Sequence, residues 1–341
     1  MVRATIEDVA SEAGVSVATV DRVLNGRAAV RPQTVERVEK AIRRLNYQPD
    51  RLAARLARAR EYRFCFILPE GTNAFMAALA DAVREETQRM VQEKVVIDLR
   101  HTDVFDAGTL AEALDQVGSI YDGVAVVALD DPRVREAINA LTDRGVTVVT
   151  LVSDVPGSRR AHFAGIDNSA AGRTAATLMG RYLCGRKGKV GLIAGSLSLR
   201  DHIERQFGFE QVISHDFPNL TLLPVREGRD DWQKVKKLAA QLLADHPDMI
   251  GLYNVGAGAR GIAVALEEAS RQRGVVLITH ELTDDTRRAL IDGTIDIIIS
   301  QDAGHEVRSA IRVLMSKADK APIVEQMERI RIDIYLRDNI P

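Results

Sequence analysis

From Arg63 onward, short apolar runs alternate with amphipathic helical stretches, and this rhythm restricts the chain to an α/β fold built on parallel sheets. The runs are 64–68, 95–99, 124–129, 146–151, 190–194, 220–225, 250–254, 275–279 and 295–300, with helical patterns such as 74–90 and 232–244 between them. Parallel neighbours joined this way need right-handed βαβ crossovers. Nine such strands with their helices exceed one domain of common size, so two doubly wound lobes are expected. No run reaches the roughly 20 apolar residues that cross a bilayer, so no membrane partner is expected. Glu7 and Asp8 interrupt an N-terminus that lacks the apolar core of a secretory leader, which makes a cytoplasmic location the expectation. Cys65 and Cys184 lie in apolar settings and are expected to be buried, reduced thiols.

The formal net charge of -2 conceals an asymmetry. Residues 1–60 hold 12 Lys or Arg against 7 acids, a balance of +5, while the rest holds 34 against 41, a balance of -7. A small basic module on a larger acidic body points to an anionic polymer as partner of the module alone. That module reads as helical throughout. Thr5 with Asp8 three residues later forms a capping-box pattern, and Ile6, Val9, Ala10 and Ala13 share one helical face. Gly14 ends this helix; Ser16 caps a second, with Val20, Val23 and Leu24 inward, that Asn25-Gly26 ends. Pro32 opens a third helix whose buried stripe is Val35, Val38, Ile42 and Leu45. Two short helices about a glycine turn make a helix-turn-helix, whose second helix enters the major groove. Its exposed start presents Val17, Ala18, Asp21 and Arg22. Arg22 suits guanine or phosphate, and Val17 and Ala18 suit thymine methyls. A plain three-helix bundle is the alternative.

The stretch TIEDVASEAGVSVATVDRVLNG, followed by TVERVEKAIRRLNYQPDRLAARLA, resembles the DNA-binding headpiece of the LacI/GalR family of bacterial transcription regulators over residues 3–60. The resemblance implies Thr5, Ser16, Val17, Ala18, Thr19, Arg22 and Asn25 as DNA contacts. Asp21 departs from the serine that the family usually places near a phosphate; an acid there weakens that contact or changes its partner. The segment 50–57 is similar to the family's hinge helix, which orders on the operator and wedges a leucine into the minor groove. By that resemblance Leu56 is the wedge, Ala53 permits close approach and Arg51 joins the DNA contacts. An apolar side chain on an Arg-rich helix can unstack and kink a base step. Leu56 packing as an ordinary linker residue is the alternative. The implied division is a headpiece at 1–48, a hinge helix and linker at 49–61, and a two-lobed body at 62–337. Lobe 1 takes about 62–166 and 302–319, and lobe 2 about 167–301 and 320–337.

In open parallel sheets, ligands sit beyond the carboxyl ends of the strands. In the first lobe those positions hold Asn73, Phe75, Asp130, Asp131 and Asp154, and the link to the second holds Asp167-Asn168. In the second lobe they hold Arg200, Arg205, Asn254, His280-Glu281 and Gln301-Asp302. Amides, carboxylates and guanidinium groups converging on one cleft suit a hydroxyl-rich ligand; singly, Asp and Asn at strand ends are also common helix caps. The body is similar to the periplasmic sugar-binding-protein fold that the LacI/GalR family carries, through AFMAALADAVREE, GIDNSAAGRTAA and SQDAGHEVRSAIRVL. That resemblance implies Arg205 as the arginine that grips the effector and Asn254 as the pocket amide. Glu281 stands where the family often has aspartate, and Ala303 replaces an aromatic frequent after the Gln-Asp pair. The expected effector set is Asn73, Phe75, Asp130, Asp154, Arg205, Asn254, Glu281 and Gln301.

Gly256-Ala257-Gly258-Ala259-Arg260-Gly261 follows an expected strand, and Glu281 lies 25 residues beyond Gly256, formally a dinucleotide fingerprint. It falls in the third unit of its lobe rather than the first, so a dinucleotide-binding regulator or dehydrogenase-like protein is the alternative. The seven histidines show no metal spacing, and no nucleophile elbow or P-loop lysine occurs; no enzymatic activity, cofactor or metal is expected. The expectation is an all-α helix-turn-helix headpiece followed by an α/β body of two doubly wound parallel-sheet lobes. As a homodimer it binds a pseudo-palindromic double-stranded DNA operator and releases it when a small effector, a sugar or polyol, binds.

Overall fold

The computed structural model describes residues 4–24, 30–45, 47, 60–71 and 73–341. The chain forms two compact units, Met1–Glu61 and Tyr62–Pro341. In the first, α1 spans Ile6–Ala13, α2 Val17–Leu24 and α3 Pro32–Arg44. Thr5 and Asp8 close a reciprocal capping box on α1, and Gly14 ends it in the left-handed conformation at φ 65°. Ser16 Oγ accepts the Thr19 N–H at 3.2 Å and so caps α2. Val9, Ala10, Ala13, Val20, Val38 and Ala41 form the core of the three helices, and Arg44 ties α3 to Glu12 near the end of α1 at 2.7 Å. The end of the second helix at Asn25-Gly26 and the segment 50–57, with Arg51, Ala53 and Leu56, lie outside the described residues.

The second unit holds two sheets. The first comprises β1 Tyr62–Pro69, β2 Val95–Thr102, β3 Gly123–Val126, β4 Thr147–Leu151 and β5 His162–Ala164. Its order is β2-β1-β3-β4-β5, parallel throughout. Its own crossover helices are α4 Ala74–Arg89, α5 Ala107–Asp115 and α6 Pro132–Asp143. The alternation of side chains along β1 explains its unbroken apolar run, because both faces are covered. Phe64, Phe66 and Leu68 pack under Leu79 and Val83 of α4, while Cys65 and Ile67 pack with Leu110 of α5 and Ile138 of α6.

The chain then enters the second sheet through α7 Asn168–Tyr182, β6 Gly188–Ala194, α8 Arg200–Asp216, β7 Leu220–Leu222 and β8 Arg226–Glu227. It continues with α9 Trp232–Asp245, β9 Met249–Asn254, α10 Ala259–Glu268, β10 Val276–His280, α11 Asp284–Asp292 and β11 Ile297–Ser300. From there α12, Ala303–Ala318, returns to the first sheet, where Val307, Ile311 and Leu314 join the α4 face. After the short α13, Glu325–Glu328, the chain crosses back and β12 Asp333–Tyr335 lies antiparallel on β11. The second sheet runs β12-β11-β10-β9-β6-β7, with β8 also paired to β6.

The nine expected strands are all present, and β5, β8 and β12 are additional. Each is only two or three residues long, too short to carry a periodic signal. The apolar run 220–225 forms a ladder only over Leu220–Leu222. Cys65 is buried, and burial raises its thiol to about 11. Cys184 corrects the expectation: it is exposed, because α7 ends at Tyr182 and the chain turns outward there. Among the described residues no helix is long and apolar enough to cross a membrane.

Candidate functional site

In the headpiece, burial of Val20 fixes which side of α2 faces out. Ser16, Val17, Ala18 and Arg22 are exposed on it, Thr19 is half-buried, and Thr5 is exposed at the start of α1. Ser16 Oγ and Thr19 Oγ1 also bond each other at 2.9 Å, so the cap holds itself together. The helix therefore offers a small apolar and hydroxyl surface with one guanidinium.

In the body, a cavity of about 560 Å³ lies where the carboxyl ends of the two sheets face each other. Arg205 is its deepest cation, and helix packing sets its place. A Cβ added at Gly172 of α7 would lie 2.0 Å from Arg205 O, and one at Gly208 of α8 2.3 Å from Ser169 O. The two helices thus meet backbone to backbone, as only glycine permits. From that position Arg205 Nε donates to Asn168 Oδ1 at 2.8 Å and Nη1 to Val255 O at 3.0 Å. Nη2 stands 3.8 Å from Glu281 Oε1 and has no hydrogen-bond partner.

Glu281 follows β10 with φ at 68°, a left-handed conformation that costs a non-glycine residue about 1–2 kcal/mol. Gln301 stabilises the result by donating from Nε2 to Glu281 Oε1 at 2.9 Å. Burial pushes the Glu281 carboxyl upward, and the Arg205 charge opposes that push. His280 gives one ring nitrogen, Nε2, to the Tyr253 hydroxyl at 2.7 Å, and Tyr253 stacks on Phe209. Burial, then Arg205 and His202, hold His280 well below its ordinary 6.5, so the ring is neutral at pH 7. On the opposite wall Val152, β-branched yet at φ 61°, turns the chain sharply after β4.

Five buried polar atoms of cavity-lining residues lack a partner: Ser153 Oγ, Asp201 Oδ1, Arg205 Nη2, His280 Nδ1 and Gln301 Oε1. Buried polar groups are ordinarily satisfied, so a set of donors and acceptors left open around one space is built for a polar guest. Phe75, Phe105 and Trp232 add apolar wall, with the Arg260 guanidinium 4.5 Å from the Trp232 ring centroid. Asn73 caps α4 through Oδ1 and donates Nδ2 to Asp230 Oδ2 at 3.1 Å, from one lobe to the other.

The structure brings Asn73, Phe75, Arg205, Glu281 and Gln301 to the cavity. Asp154 is engaged elsewhere, by Arg160 and by Thr150 Oγ1 at 2.7 Å, because the Val152 turn presents Ser153 to the cavity instead. Asp130 likewise does not line it; it takes Arg135 at 2.8 Å and Arg200 at 3.4 Å and so links the lobes outside the cavity. Asn254 is wholly buried and donates to Gly256 O and Thr279 Oγ1 at 2.8 and 2.9 Å, without reaching the cavity. Sequence reasoning missed Ser153, Asp201, His202, Asp230 and Trp232. Asp201 had a usable signal, four residues before Arg205 and so on the same face of α8; Trp232 had another, as the single tryptophan of the chain.

The glycine motif serves packing. Gly258, at φ 93°, starts α10, and a Cβ at Gly261 would lie 2.1 Å from Trp232 O of α9. The Ala257 N–H donates to Asp230 Oδ1 at 2.9 Å, so a carboxylate of the chain stands where a dinucleotide would place its pyrophosphate. No group of three or more His, Cys, Asp or Glu able to hold a metal occurs among the described residues.

Residues 5–50 match the family model for bacterial regulatory proteins of the lacI family, and residues 64–322 match that for the periplasmic binding protein domain. Catabolite control protein A of Staphylococcus epidermidis is 28% identical over 247 residues, 72% of either chain. The HTH-type transcriptional regulator pepR1 of Lactobacillus delbrueckii is 34% identical over 44% of either chain. The ribose operon repressor of Bacillus subtilis is 43% identical over 86 residues, 25% of this chain and 26% of that one. Among solved structures, a glucose-galactose binding protein from Geobacillus stearothermophilus superposes with a TM-score of 0.74 at 21% identity, over 83% of this chain and 99% of that one. A structure described as a putative LacI transcriptional regulator from Bacteroides fragilis gives 0.71 at 17%, over 82% and 98%.

Proposed function

Because this chain belongs to the lacI family of bacterial regulatory proteins and carries a periplasmic binding protein domain, we infer that it is a DNA-binding transcription regulator, a repressor that answers to a sugar. The observation that carries the sensor half is the open set of five buried polar atoms around the cavity. Vicinal hydroxyls, each both donor and acceptor, match such a mixture.

The headpiece, 1–48, reads the operator with α2 in the major groove through Ser16, Val17, Ala18, Thr19 and Arg22, with Thr5 beside them. The segment 49–61 serves as hinge, and Leu56 enters the minor groove. The regulator acts as a homodimer on a pseudo-palindromic operator in the cytoplasm, associated with the nucleoid when bound. The body, 62–337, binds a sugar or polyol through Asn73, Phe75, Arg205, Glu281 and Gln301, and Asn254 supports the site from below the surface. The relatives' names concern catabolite control and a ribose operon, in keeping with a carbohydrate-linked role. Effector binding shifts the lobes toward one arrangement, and that shift weakens operator affinity. By linkage, operator weakens effector binding by the same factor.

The experiment is a thermal-shift screen over aldoses, ketoses, alditols and cyclitols, followed by operator binding with and without each hit. Hits that stabilise the chain and release DNA support the reading. Hits that stabilise it and leave operator affinity unchanged contradict it.

A further inference from the structure

The charges around the cavity narrow the effector further. Six carboxylates line it, against three guanidinium groups and no lysine. Two of those cations are already engaged: Arg205 lies 3.8 Å from Glu281, and Arg260 lies 3.9 Å from Asp285 and over Trp232. The third, Arg229, is exposed to solvent, whereas Asp201 is buried. Arg205 has one open donor, Nη2, where a phosphate takes several hydrogen bonds.

Three helix N-termini at the cavity, the usual seats of a phosphate, are occupied by the chain's own oxygens. Asn73 caps α4, Asp231 caps α9 and Thr283 caps α11. The amide of Ala257, at the turn into α10, is taken by Asp230. Two helices here have no side-chain cap: α10, which opens at Gly258, and α8, which carries Asp201 in its first turn, buried and with Oδ1 unpartnered. That oxygen accepts a hydroxyl and repels an anion.

Resting on the sugar-sensor reading, we propose that the effector is an uncharged polyol or free sugar, and that the site rejects phosphorylated and carboxylated forms. Asp201 is the specificity-determining residue. An ester phosphate placed near it meets a desolvated carboxylate, whereas the parent hydroxyl meets an acceptor.

The test titrates the full chain with aldoses, ketoses, alditols and cyclitols, each beside its phosphate ester or uronic acid, and reads melting temperature and Trp232 fluorescence. At least one uncharged compound is expected to bind, with its anionic form weaker by roughly 100-fold or more, the order expected for like charges brought together at a desolvated site. Asp201→Asn is expected to bind the uncharged compound less well and to shrink that gap about tenfold or more. An anionic form that binds as tightly as its parent overturns the proposal and leaves the sugar sensor standing. A panel in which nothing binds overturns both. A gap unchanged in Asp201→Asn removes that residue's role.

Discussion

Asn73 Nδ2 and Asp230 Oδ2, one from each lobe, are hydrogen-bonded at 3.1 Å. Each residue is committed twice, Asn73 as the cap of α4 and Asp230 as acceptor of the Ala257 amide, so the bond joins two fixed points across the cavity. Asn73→Ser keeps a capping oxygen and removes the amide donor. It is expected to weaken effector affinity about fivefold, the worth of one bond of roughly 1 kcal/mol. Asn73→Ala should in addition lose about 1 kcal/mol of stability with the cap. Calorimetric titrations and melts of both variants separate the two effects; unchanged affinity in both would show that the bond does not hold the lobes together.

Removal of the deep arginine should strike stability and sensing together. Arg205→Ala leaves Glu281 buried beside no cation, and breaking such a pair costs about 3–5 kcal/mol. The variant is expected to lose its response to effector while the operator affinity of its folded fraction persists. Denaturant titration and mobility shift check both, and a wild-type response would remove Arg205 from the site.

Glu306, in the first turn of α12, is wholly buried with both carboxylate oxygens unpartnered. Burial first, and then the Glu281 charge, hold its pKa well above the ordinary 4.5. The folded chain therefore keeps a proton that the unfolded chain has released, and stability falls as pH rises from about 4.5 toward the folded value. Glu306→Gln should raise the melting temperature at pH 7 and flatten that decline. His280 has the opposite sign: its lowered pKa contributes stability above about 6.5 that is lost as pH falls below it. Melts across the acid-to-neutral range distinguish the two slopes, and a Glu306→Gln variant less stable at pH 7 would contradict a neutral Glu306.

Trp232 is the only tryptophan and lines the cavity under the Arg260 guanidinium. Effector binding should change the intrinsic emission of the chain, with the same midpoint as a calorimetric titration. In Trp232→Phe the signal should vanish while the calorimetric heat remains. An emission that stays constant through saturation places the effector elsewhere.

Leu56→Ala tests the hinge. Loss of an apolar wedge is expected to weaken operator binding by tenfold or more and to leave binding to random DNA nearly unchanged, because phosphate contacts dominate the latter. Equal loss on both would refute the wedge.

Much of this was legible from spacing and residue type. The β1 run showed a strand covered on both faces, and Thr5, Gly14 and Ser16 marked helix ends through chemistry that acts within a few residues. Strand-end logic brought Glu281 and Gln301 to one cavity. It failed at Asp130 and Asp154 because it gives proximity and not direction: one left-handed residue, Val152, rotates Ser153 into the place Asp154 was expected to hold. Asp230 and Trp232 reach the site from a loop and a helix start whose path depends on packing between distant segments, which no local pattern encodes.

Gly172 and Gly208 place the backbones of α7 and α8 in contact and so fix where Arg205 begins. Any side chain at either position would carry the guanidinium away from Asn168. Asp231, Trp232 and Arg260 instead stand at helix starts, where exchange leaves both sheets untouched. A lineage built on this chain can therefore acquire a new signal by rewriting the rim, while the inner grip is inherited unaltered.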